Sequence, residues 1–405
     1  MLALPTHERE SQTMPDLTTP IGGSVATGFG SVEDAFREVL SQSERGGAAL
    51  CIMVDGETVA DLWGGYSDVS TGSLWAESTT TAFFSMTKGL ITLLAARLVD
   101  EGALDLDAPV ARYWPEFAAA GKAAITVRQV MSHRAGLSYP VEDITFEHIL
   151  AWDPVIHVLE RQAPLWEPGT GHSYHALTYG WLVGEIIRRV TGLDVPEAFQ
   201  RYLAVPASAD AWIGVPTEQL GRIAQLVPEP GFVFALPEGI PNKVEIERAF
   251  TLGGGMPDYI AGPGTGLNDP AYQQSVIPAG LGIGTARSLA QMWSAAIVPT
   301  AGTRPVSEST LDDMTSLRSA GEPVWDIPGM GHESWGTGFQ IPSEVNPMLG
   351  PTSFGHGGAG GQLSFADRAG RLSFGFLTND LRAANDFRTP TLLTALHSDL
   401  EATDR

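Results

Sequence analysis

Residues 90–100 read Leu-Ile-Thr-Leu-Leu-Ala-Ala-Arg-Leu-Val-Asp, and a helix built from them has almost no polar face to give to water. Such a helix has to be buried, and Gly102 supplies its stop. Directly ahead of it stands Phe83-Phe84-Ser85-Met86-Thr87-Lys88-Gly89, so a serine and a lysine travel with the buried helix. Three of the 24 lysine and arginine residues are lysines. Arginine cannot lose its proton at working pH, whereas a lysine in a dry site can become a neutral amine and accept one. Positions i and i+3 share a helix face, so a helix from Met86 onward lets Ser85 and Lys88 hydrogen-bond. Nucleophile, adjacent base and apolar surroundings are the layout of an activated serine. Taken alone, the pair equally fits a serine near a helix start with a lysine snorkelling to solvent.

The 405 residues suffice for one large or two ordinary domains with a substantial core. A formal charge of −23 argues against nucleic acid or an anionic membrane surface as partner, and no segment has the apolar length of a membrane helix. The lone cysteine, Cys51, excludes an intramolecular disulfide and sits in the core-strand pattern 48–54, which predicts an inert thiol. No His, Cys, Asp or Glu cluster has metal-ligand spacing, so neither metal nor another cofactor is expected. The first ten residues lack a basic n-region and an apolar h-region, from which a cytoplasmic location is expected.

Residues 1–27 are polar and rich in Gly, Pro and Thr, and are expected to form an arm rather than an element. A helix is predicted from Ser31, with Asp34 as capping partner and Val32, Ala35, Phe36, Val39 and Leu40 on one face. A hairpin follows, with strand 48–54, an Asp55-Gly56 turn and strand 57–65. From Leu104 to about Phe250 the signals are helical, most clearly near 126–133 and at 176–191, where Gly192 closes the element. Residues 228–284 have few periodic segments and read as long loops around a cleft. A helix near 285–298 precedes strands at 333–341, 352–359, 362–367 and 371–378, and a last helix near 387–400. The order predicts an α/β (α+β) fold: an antiparallel sheet flanked by helices, built from 28–103 and 285–405. A mostly helical domain at 104–284 is inserted into it, and a site is expected in the cleft between the two.

Five segments carry a resemblance: Phe84-Ser85-Met86-Thr87-Lys88, Leu104-Asp105-Leu106-Asp107, Ile125 through Leu137, Glu167-Pro168-Gly169 leading to Tyr174-His175-Ala176, and Phe354 through Gly361. In this order they resemble the serine β-lactamase and penicillin-binding-protein superfamily. Within it, the class C β-lactamase-like branch that includes the family VIII carboxylesterases is the nearest match. The resemblance implies Ser85 as the acylated nucleophile, Lys88 as its partner and Tyr174 as the tyrosine of the second motif, with the Lys88 charge stabilising its phenolate or letting it relay a proton. It also implies an oxyanion hole from the backbone N–H groups of Ser85 and Ala359. His356, Gly357 and Gly358 would line the substrate, with His356 facing it or bonding the Tyr174 region, and His175 is a further candidate. His133 reads as structural, and His172 stays open.

Two positions depart from the β-lactamase pattern: Ala176 stands for the motif's asparagine and His356 for its lysine. Losing that cation weakens recognition of an anionic substrate. The Gly-x-Ser-x-Gly elbow of α/β-hydrolases is absent, so an esterase would have to use the Ser-x-x-Lys route. A serine carboxylesterase acting on a small neutral, short-chain ester is therefore expected. A β-lactamase, D-amino-acid peptidase or acyltransferase on the same fold, and a non-catalytic scaffold, are the alternatives.

Overall fold

The computed structural model describes residues 20–403 apart from 44, 230, 231, 233–235, 258, 259, 263, 304, 305 and 383–385. Residues 1–19 of the expected arm lie outside the described residues, but the arm's end is an element. Ile21–Val25 is a strand, β1, paired antiparallel with the second arm of the hairpin. Backbone pairing to a ready edge holds it, and Gly22-Gly23-Ser24 carries no side-chain alternation that would announce a strand.

Helix α1 (Gly30–Ser41) buries the whole predicted face. Its start differs from expectation: Phe29 is the N-cap, and no Ser31–Asp34 capping pair forms. Instead the Val32 N–H donates to the Asp399 carboxylate at 3.0 Å, so an acid 367 residues away caps the helix. The hairpin is β2 (Gly47–Val54) and β3 (Glu57–Asp68), joined through Asp55 and Gly56 at φ 53° and 84°. Positive φ at both positions is what a two-residue turn of this twist requires.

Further strands are β4 (Ser334–Trp335), β5 (Gln340–Ile341), β6 (Ser353–Gly358), β7 (Gln362–Asp367) and β8 (Leu372–Thr378). Across the sheet they run β1-β3-β2-β8-β7-β6-β5-β4, antiparallel at each pairing. The predicted strand 333–341 is thus two strands, because the chain turns at Gly338, φ 87°.

Side-chain alternation along β2 builds two layers. Ala48, Leu50 and Ile52 join α1 and the last helix, Arg388–Thr403, on one face, while Ala49, Cys51 and Met53 face the other. A strand covered on both faces reads as a continuous apolar run, which is why 48–54 lacks polar residues. On the second face lie α2 (Met86–Asp100), buried on nearly all sides, and a later helix, Ala286–Ile297. Burial pushes the Cys51 thiol well above its usual range, and the Asp61 carboxylate adds to this, so the thiol is inert.

The middle of the chain contributes α3 (Val127–Met131), with a capping box between Thr126 and Gln129, and α4 (Thr178–Thr191), closed by Gly192 in the left-handed region. The 228–284 stretch is not loop throughout. It holds α5 (Lys243–Thr251) and a strand, Gly282–Gly284, bonded to Thr81–Ala82 and Ala211–Ile213. These pieces are too short to show a period. No helix among the described residues is long and apolar enough to cross a membrane.

Candidate active site

The strand Thr81–Ala82 is pinned to Gly282–Gly284, and the chain then turns at Phe84, whose φ of 47° puts a bulky residue in the left-handed region. The turn delivers Ser85 to the N-cap of α2. Serine there ordinarily bonds a backbone N–H of the first turn, yet Ser85 makes no such bond. Its Oγ instead lies 3.2 Å from Lys88 Nζ and accepts from the Tyr174 hydroxyl at 2.9 Å.

Lys88 is 1% exposed and donates to the Ala279 carbonyl at 2.6 Å. Burial alone drives its pKa well below the ordinary lysine value. Burial pushes the Tyr174 phenol the opposite way, upward, against the smaller effect of the Ser85 bond. Both shifts favour the uncharged group: the amine gives up its proton more readily, and the phenol holds its own more tightly. Lys88 Nζ stands 4.8 Å from the tyrosine ring centroid.

Tyr174 is positioned from two sides. The Trp335 ring stacks on it at 5.3 Å and 18°. Buried His133, at φ 60°, accepts the Ser173 N–H on its carbonyl (3.1 Å) and the His175 N–H on Nδ1 (3.2 Å). These bonds clamp the backbone on either side of the tyrosine. His175 does not line the cleft as expected. It is fully buried, its Nδ1 bonds the Ser173 carbonyl at 2.7 Å, and its Nε2 accepts the Leu137 N–H at 3.1 Å. Both ring nitrogens are committed to the fold, and burial holds the ring neutral, its pKa pushed down to about 4.

His356, Gly357, Gly358 and Ala359 all border the cleft with Ser85 and Tyr174. His356 Nδ1 bonds the Gly357 carbonyl at 2.6 Å, and burial, with Lys88 adding to it, pushes the ring down to about 3. The imidazole is 6.2 Å from the Tyr174 ring and makes no hydrogen bond to it among the described residues. Gly357 N–H donates to Gln340 Oε1 at 2.6 Å. A Cβ on Gly358 would meet the Phe83 carbonyl at 2.8 Å, so glycine lets β6 rest on the turn that presents Ser85.

The N–H groups of Ser85 and Ala359 have no protein acceptor among the described residues. The turn after Ala359 is held by Arg388, which donates to the Gly360 carbonyl at 2.8 Å, and by Thr389, which bonds the Gly361 carbonyl at 2.7 Å.

The cleft has a volume of about 420 Å³, and much of its wall was not foreseen. Phe250 on α5, Trp325, Glu333 and Trp335 line it, and His172 is at its edge. Their positions in sequence carry no local signal, because long-range packing brings them together. No group of three or more candidate metal ligands occurs among the described residues.

Serine, lysine and tyrosine meeting between a buried helix and the inner strand of this sheet define a hydrolase of the beta-lactamase fold. The beta-lactamase family model matches residues 32–398, and the chain belongs to that family. It is 32% identical over 381 residues to the esterase/beta-lactamase LipL of Mycobacterium tuberculosis, spanning 91% of this chain and 85% of LipL. Its fold is similar to the crystal structure of a family VIII carboxylesterase, with a TM-score of 0.82 and 32% identity over 94% of this chain and 100% of that one. A penicillin-binding-protein homolog from Caulobacter crescentus gives a TM-score of 0.81 and 33% identity, again over 94% of this chain and 100% of that one.

Proposed function

We propose that the protein is a serine carboxylesterase that cleaves short-chain esters through an acyl-enzyme. The observation that carries this is the Ser85 hydroxyl, flanked by a buried lysine without a counter-ion among the described residues and by a donating tyrosine. Neutral Lys88 takes the Ser85 proton as Oγ attacks the ester carbonyl. The N–H groups of Ser85 and Ala359 receive the oxyanion, and Tyr174 passes its proton to the departing alkoxide, recovering one from Lys88. Water then enters and gives a proton to the same pair as its oxygen attacks the acyl carbon, and the pair returns that proton to Ser85 Oγ as the acid leaves.

The names of LipL and of the family VIII carboxylesterase support ester hydrolysis. So does His356, held neutral where β-lactam-binding relatives present a lysine to a carboxylate. Hydrolysis of p-nitrophenyl butyrate by the purified protein and by Ser85→Ala tests the proposal. Turnover that disappears in the variant is expected. No turnover by either protein overturns the esterase in favour of the β-lactam, peptidase or acyl-transfer alternatives.

A further inference from the structure

The polar groups of the cleft are unbalanced. Its lining holds the carboxyl groups of Asp326 and Glu333 and the imidazoles of His172, His332 and His356, with no arginine or lysine among the described residues. Asp326 is already engaged, 2.9 Å from His332 Nε2. Glu333 has only the Ser343 hydroxyl, at 3.3 Å, and no ion-pair partner among the described residues. Burial raises the Glu333 carboxyl above its usual range against the smaller effect of the Ser343 bond, so its ionised form is costly without a cation to pair it. Its field reaches the reactive centre, since Glu333 is one of the charges that raise the Tyr174 phenol.

A second group in the same cleft is also unmet. His356 is 2% exposed, and its Nδ1 serves the Gly357 carbonyl, so Nε2 is a bare acceptor, and no partner reaches it among the described residues. Both unpartnered groups favour a hydrogen-bond donor, and neither suits a carboxylate, although the sealed Nε2 is reached only if the ring moves. Trp325 and Phe250 line the same cleft, whereas buried Trp335 is packed against Tyr174, His133 and His356. Ring faces near an unpaired carboxylate suit an organic cation, which gains from both. A net charge of −23 raises the local concentration of cations at such a site.

We infer that the cleft contains an ammonium subsite, with Glu333 as its carboxylate and Trp325 and Phe250 as its aromatic wall. The preferred substrates are esters carrying an amino or quaternary ammonium group. This substrate class rests on the esterase proposal, whereas the binding site for the cation does not.

Two substrate pairs test it. Butyrylcholine against uncharged dimethylbutyl butyrate places the cation in the alcohol half. The p-nitrophenyl ester of aminohexanoate against that of heptanoate places it in the acyl half. A kcat/KM at least roughly tenfold in favour of the cation in one pair is expected, with the ratio falling toward unity in Glu333→Gln. Ratios at or below unity in both pairs, or a preference that survives Glu333→Gln, overturn the subsite.

Calorimetric titration with butyltrimethylammonium needs no turnover. Binding that is lost in Glu333→Gln supports the subsite even if no ester is cleaved, and the esterase proposal alone then fails. Cleavage of p-nitrophenyl butyrate with no ammonium binding and no cation preference removes the subsite and leaves the esterase.

Discussion

The Tyr174 hydroxyl donates to Ser85 Oγ at 2.9 Å while Lys88 Nζ faces the same oxygen at 3.2 Å, an arrangement in which the proposed mechanism uses the tyrosine as acid and the lysine as base. The division of labour comes from burial, which raises a phenol and lowers an amine. Tyr174→Phe keeps the stack on Trp335 and removes only the proton. We expect kcat on p-nitrophenyl butyrate to fall roughly a hundredfold or more with KM little changed. Near wild-type turnover would show that the leaving group finds its proton elsewhere.

Lys88 acts as a base only when it is neutral. Its depressed pKa predicts a kcat/KM that rises with pH along a single-proton acid limb and levels off well below the usual lysine range. Lys88→Arg keeps a cation but cannot give it up, and kcat should fall on the order of a thousandfold. An acid limb that persists unchanged in active Lys88→Arg would assign it to another group.

Gly89 sets how closely α2 approaches the helix Ala286–Ile297 and, less tightly, β6. A Cβ there would stand 2.8 Å from Trp293 Cζ2 and 3.4 Å from His356 Cβ. Gly89→Ala should therefore cost about 1–3 kcal/mol by overpacking, less up to about 1 kcal/mol gained in helix propensity. Because α2 carries Ser85 and Lys88, kcat should fall with it. Urea unfolding and steady-state rates on one preparation check both, and a fully stable, fully active variant would show that the interface can shift.

His133, His175 and His356 are buried neutral, with His175 pushed down to about 4 and His356 to about 3. Below the unfolded-chain value of about 6.5, the unfolded state binds protons that the folded state refuses. Stability is thus fully present above that value and is lost as pH falls toward the folded values, at about 1.4 kcal/mol per pH unit for each histidine. Unfolding midpoints in urea should drop between about pH 6.5 and about pH 4.5. A flat midpoint across that window would mean these rings accept protons without unfolding.

What could be read along the chain was whatever local periodicity enforces. The apolar run of α2 required a buried helix, and i,i+3 spacing put Ser85 beside Lys88. Two strand-like runs joined by Asp55-Gly56 specified the hairpin, and Gly192 closed α4. Motif order pointed to the family and to Tyr174. The failures have a shared cause. β1 is held by backbone pairing, the α1 cap comes from Asp399, and the fate of His175 depends on what its ring nitrogens meet in the folded chain.

The sequence by itself determined the buried helix, the two-layered sheet and the presence of a serine with a lysine one turn on. These follow from side-chain period and hydrophobicity, which are local. Only the tertiary structure decided which proton sits where, because burial and not residue type moves Lys88, Tyr174 and His356 from their ordinary values. It also decided the character of the cleft, by gathering Phe250, Trp325, Glu333 and Trp335 around Ser85 from segments that share no local pattern.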